Sequence, residues 1–121
     1  MTKLSQVSFF ICLIAVEYLA ITTTSIAVVE NSWDKLNHLI AFFVLYILID
    51  RGFKIFTTLA KVCLLFIFAL QIEIVQYFIP NRYFSVLDIV ADCIGIVIAI
   101  GVLSFYEKYI KVKDTSYLKS Y

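Results

Sequence analysis

The chain is poor in the residues that soluble proteins use to face water. Only 16% of its 121 residues are charged, against about 25% in soluble domains. It holds one proline, one tryptophan and one histidine. With so little charge and 63% hydrophobic residues, a soluble protein of this size would have no means of covering its apolar surface. A net charge of +1 provides no basic field for nucleic acid. The single histidine argues against zinc, which is usually held by several His or Cys ligands. The three cysteines, Cys12, Cys63 and Cys93, are odd in number and match no metal or redox spacing. We read them as small apolar side chains buried within helices.

Apolar runs dominate what remains, with a mean hydropathy of +0.97. Four stretches cover about 7–29, 36–49, 59–78 and 86–106. A membrane span needs about 20 residues at 1.5 Å each. The expected fold is therefore all-α: an integral membrane bundle of four transmembrane helices, at about 7–29, 32–51, 57–79 and 85–107, forming one domain over 1–121. The first stretch is longer than the core of a signal peptide and lacks a clean cleavage site, so it reads as a retained helix. The second is short in apolar terms, about 21 Å. It reaches full length only if its polar start, from Ser32 through Asp34, is helical too. Ser32 and Ser85 are expected N-caps. Pro80 cannot continue the third helix, so a tight turn follows it.

Basic residues set the orientation. Lys3 precedes the first helix. Arg51, Lys54 and Lys61 lie between the second and third, and Lys108, Lys111, Lys113 and Lys119 follow the fourth. Those eight share one side, leaving Lys35 and Arg82 on the other. Both termini are expected in the cytoplasm. Trp33, Tyr77 and Tyr83 then mark the outer interface, and Tyr106 and Tyr109 the inner one.

The polar residues gather at the outer end. Asp34 and His38 are four apart, Lys35 and His38 three, Glu73 and Gln76 three, and Asp88 and Asp92 four. Such spacings put side chains on one helical face. Three helices thus each present a polar pair, with Arg82 in the connecting turn able to fork between carboxylates. Ionisable groups at one membrane depth point to a site, here an outward-open pocket of Asp34, Lys35, His38, Glu73, Gln76, Arg82, Asp88 and Asp92. Polar residues that merely join helices are the competing reading, at about 0.6 kcal/mol per contact. Glu17, alone in the first helix below Thr22–Ser25, reads as a protonated carboxylic acid bonded to a neighbouring helix, ahead of the alternative of a proton or ligand group at the bundle centre. Ala91, Gly95 and Ala99 form a small-residue stripe suited to close helix approach, within the chain or in a homodimer.

The strings Asp34-Lys35-x-x-His38, Glu73-x-x-Gln76 and Arg82-x-x-Ser85-x-x-Asp88 followed by Gly95 resemble the VanZ-like family. These are small bacterial membrane proteins named for a teicoplanin-resistance accessory protein. The match runs from Asp34 to Gly101, with helix 1 contributing little. The family pattern usually has Asn where this chain has Asp92. The resemblance implies a cell-envelope function in the bacterial inner membrane and a link to glycopeptide resistance.

Three functions compete. In the first, the pocket binds a lipid-linked, cell-wall or lipoglycopeptide-type amphiphile. In the second, the chain is an intramembrane enzyme with His38 as general base, Asp34 orienting it, and Glu73 or Asp88 as acid. A metal version would use His38, Glu73, Asp88 and Asp92, favouring Mg²⁺ or Ca²⁺ over zinc. The third is a small proton-coupled carrier. The sequence by itself calls for no cofactor, no metal and no nucleic-acid partner; the bilayer is the one partner it requires.

Overall fold

A computed structural model describes residues 2–21, 30–79 and 85–111, with side chains over 3–21, 35–79 and 85–110. Four long helices account for nearly all of it: α1 (Thr2–Ile21), α2 (Glu30–Gly52), α3 (Thr58–Tyr77) and α4 (Val86–Tyr106). A π-helical turn, Glu107–Lys111, prolongs α4. No strand occurs among the described residues.

Local chemistry sets the boundaries. Thr57 caps α3: its backbone is extended and its hydroxyl accepts from Ala60 N at 3.2 Å. Ser85 caps α4 as expected, its Oγ accepting from Asp88 N at 3.3 Å. Asp88 in that first turn also complements the positive end of the helix dipole. At the end of α3, Phe78 N and Ile79 N donate to Val75 O and Gln76 O, each at 3.1 Å, tightening the last turn. Pro80 and its turn lie outside the described residues.

Two expected boundaries move. Helix α1 begins at Thr2 rather than at 7, because its polar start is anchored: Gln6 Nε2 donates to Gly52 O at 2.8 Å. Its expected extension to 29 lies outside the described residues. Helix α2 begins at Glu30, so Ser32 lies inside the helix and is not its cap.

Helices α2 and α3 each touch all three others, whereas α1 and α4 share no contact among the described residues. The core joins Phe42, Leu45, Tyr46 and Ile49 of α2 to Leu65, Ala69 and Ile72 of α3, Ile96, Ala99 and Leu103 of α4, and Phe9 and Ala20 of α1. Around it the surface is apolar. Leu4, Ile11, Ile14, Ile67, Val97 and Phe105 are all exposed, as suits helices facing lipid. Three segments are long and apolar enough to cross a membrane: Lys3–Ile21, Thr58–Tyr77 and Val86–Ile110. Helix α2 is not among them, since its apolar run is bounded by polar residues at both ends. Its neighbours supply the shielding, and four of its residues are no more than 2% exposed.

Gly95 brings α2 and α4 together. A Cβ there would collide with Leu39 O and lie 3.2 Å from Phe43 N. The Ala91–Gly95–Ala99 face is buried and serves this internal contact, one of the two uses open to it. At the opposite end Phe9, Phe10, Phe53 and Phe56 form edge-on and stacked pairs, with centroids 5.5–6.2 Å apart. Such pairs add about 0.5–1.5 kcal/mol each.

Lys61 is not a solvent-facing charge at the inner boundary. It lies in α3, 5% exposed, and its Nζ is 2.6 Å from Asp50 Oδ1 of α2. Of the cysteines, Cys12 and Cys93 are half-buried and Cys63 is exposed, so the expectation that all three are buried fails at Cys63. Its position on the outer face of α3 suits an apolar side chain facing lipid just as well.

Candidate functional site

The end of the bundle formed by the start of α2, the end of α3 and the start of α4 carries a His–carboxylate centre. His38 projects from α2 on the close contact made by Gly95. Its Nδ1 lies 2.9 Å from Asp92 Oδ1, and its Nε2 lies 3.7 Å from Asp88 Oδ2. The four-residue spacing of Asp88 and Asp92 stacks their carboxylates on one face of α4, so one imidazole meets both. The three side chains are 10%, 6% and 0% exposed.

Glu73 approaches from α3 and is fully buried. Its Oε2 accepts from Ser85 N at 3.0 Å. Ser85 therefore links two helices, since its N–H meets Glu73 while its Oγ caps α4. Glu73 Oε1 has no hydrogen-bond partner among the described residues. A buried acceptor left without a donor is costly, so this atom calls for a ligand or proton. His38, Glu73 and Asp88 each offer one donor atom, and the three atoms lie within 4.8 Å of one another.

Not every expected site residue joins this centre. Gln76 is buried, but its Nε2 donates to Ala20 O of α1 at 3.3 Å, satisfying a carbonyl near that helix's end. Lys35 is half-buried one turn before His38. The side chains of Asp34 and Arg82 lie outside the described residues. Glu17 bonds a neighbouring helix as expected, its Oε1 accepting from Gln71 Nε2 at 2.8 Å.

Three participants escaped the sequence reading. Ser85 was legible as a cap, but its donation to Glu73 uses the backbone, which carries no side-chain signature. Gln71 lies two residues before Glu73 and so off the polar face of α3. Asp50 was hidden among basic neighbours at the opposite end, where Arg51 also stacks 5.2 Å over the Tyr106 ring.

Chemically, the centre has one nitrogen base fixed by a carboxylate and two further carboxylates beside it. That set can hold or move a proton, or bind a cation. No curated protein and no solved structure matches the chain significantly. The profile of the VanZ/LLP1 family, however, matches residues 3–107, which takes in all four helices and every residue of the centre. The chain belongs to the VanZ/LLP1 family.

Proposed function

We propose that this is a multi-pass envelope protein of the bacterial inner membrane whose His–carboxylate centre receives the polar tip of a lipid-linked, cell-wall or lipoglycopeptide-type amphiphile. The observation that carries the reading is the convergence of polar groups from α2, α3 and α4 on one end of a bundle whose outer surface is apolar. All four helices span in this reading, α2 shielded by the others, and both termini lie in the cytoplasm. The excess of Lys and Arg at the opposite end supports that orientation. The centre then opens outward, with Lys35 and Arg82 meeting anionic groups and Glu73, Asp88 and Asp92 meeting hydroxyls or amines. Because the described side chains of the centre are 10% exposed or less, the part they receive is small: a phosphate, amine or hydroxyl rather than a whole sugar.

The test titrates full-length protein in lipid nanodiscs with undecaprenyl phosphate and, separately, with teicoplanin. Saturable binding of either, lost in Glu73→Gln and Arg82→Ala, supports the reading; no saturable binding of either probe overturns it. Drug sensitivity of cells with and without the gene, against teicoplanin and vancomycin, tests the resistance role. Unchanged sensitivity to both removes it for this protein.

The 2.9 Å approach of His38 to Asp92 favours a second reading, an intramembrane enzyme acting on the same class of substrate. His38 serves as general base, Asp92 orients it, and Glu73 or Asp88 acts as acid. His38→Ala separates the two: binding kept with product formation lost identifies an enzyme, and the absence of any product from wild-type protein leaves binding alone.

A further inference from the structure

We infer that His38, Glu73 and Asp88 form a binding site for one divalent transition-metal ion, with Asp92 orienting the imidazole. Three observations converge. First, the three donor atoms come from three different helices and lie within 4.8 Å of one another. Ligands at about 2.0–2.2 Å from a shared ion stand roughly 3–4 Å apart. The 3.7 Å between His38 Nε2 and Asp88 Oδ2 falls in that range and is too long for a hydrogen bond between them. Second, Glu73 is 0% exposed and its Oε1 has no hydrogen-bond partner among the described residues. A cation held beside the other two donor atoms would satisfy that oxygen. Third, Asp92 Oδ1 lies 2.9 Å from His38 Nδ1. A carboxylate on the far nitrogen of a ligating histidine fixes the tautomer and turns the other nitrogen toward the metal.

The donor set selects the kind of ion. Mg²⁺ and Ca²⁺ prefer all-oxygen sites, while an imidazole nitrogen suits first-row transition metals and carboxylates suit Mn²⁺. One nitrogen and two carboxylates leave coordination positions open, as in metal sites that contact a substrate. The seam between α2 and α4 at Gly95 brings His38 and the α4 carboxylates close, and the Ser85–Glu73 bond ties α3 to the start of α4.

Metal binding can be read without any amphiphile present, so the probe is Mn²⁺ alone. Full-length protein is purified in detergent with a histidine-free tag, stripped with chelator and titrated with Mn²⁺. Affinity is followed by free-ion electron paramagnetic resonance, and bound ligands by electron spin-echo modulation. His38 is the one histidine of the chain, so any imidazole coupling belongs to it. The expected result is one ion per chain, with a nitrogen coupling that changes from the ¹⁴N to the ¹⁵N pattern on labelling histidine. Affinity should fall more than about 100-fold in Glu73→Gln and about 10- to 100-fold in Asp92→Asn, with Gln71→Ala unchanged. Absence of binding, bound Mn²⁺ without nitrogen coupling, or equal affinity in a folded Glu73→Gln protein overturns the proposal. If a variant fails to fold, the wild-type labelling result alone decides.

Discussion

His38 and Asp92 stand 2.9 Å apart across the seam between α2 and α4, and Gly95, one turn further along α4, lets the two backbones come that close. The site and the packing are therefore one construction. Loosening the seam separates the imidazole from its carboxylate without touching either.

Gly95→Ala should loosen it. The added methyl collides with Leu39 O, a backbone atom that cannot turn aside. Overpacking of this kind costs about 1–3 kcal/mol. At Gly101 an added Cβ meets nothing within 4 Å, so Gly101→Ala should be neutral or slightly stabilising, by up to about 1 kcal/mol. Thermal unfolding in detergent compares the two; equal stability would show that the seam is not tight.

With Asp92 ionised, the His38 ring should carry a proton on Nδ1, because such a carboxylate can only accept. Nitrogen-edited proton spectra of histidine-labelled protein should show a hydrogen-bonded Nδ1–H signal. It should vanish in Asp92→Leu and persist in Asp92→Asn, whose amide oxygen still accepts. A signal indifferent to Asp92→Leu would mean that the pair is not bonded in the membrane.

Lys61 and Asp50 form a buried pair across α2 and α3, with side chains 7% and 17% exposed. Removing one partner strands the other charge, so Lys61→Met or Asp50→Leu alone should cost about 3–5 kcal/mol. The double variant should recover most of that loss. Denaturation of the four proteins of the cycle measures the coupling.

The Gln71–Glu17 bond joins α3 to α1. Interhelical hydrogen bonds in membranes average about 0.6 kcal/mol and reach about 1.7. A double-mutant cycle of Glu17→Ala and Gln71→Ala should therefore give a coupling in that range. Zero coupling would assign Glu17 some use other than holding the two helices together.

The local pattern of the polar end is legible in the sequence where side-chain periodicity carries the information. Asp88 and Asp92 had to share a face of α4 whatever surrounded them, and Ser85 is a good cap before any apolar helix. That pattern misleads where a residue's partner lies on another helix. Gln76 was grouped with Glu73 by spacing, yet it turns to Ala20 because a carbonyl of α1 lies within its reach. Lys61 reads in the sequence as one of the basic residues of the inner boundary, yet Asp50 draws it inward. Asp34, one turn before His38, lies with its side chain outside the described residues. The described partner is Asp92, 54 positions along the chain.

Composition and hydropathy alone determined that the chain is helical and apolar on its outer surface, since 63% hydrophobic residues leave too little polar surface for water. The sequence pattern also determined which polar residues share a helical face, because helical spacing is a local property. Only the tertiary structure decided which of those residues meet. The pairing of His38 with Asp92, the Glu73 oxygen with no hydrogen-bond partner among the described residues and the inward turn of Lys61 depend on how helices rotate against one another. That rotation is set by close contacts such as Gly95 on Leu39, which no single helix encodes.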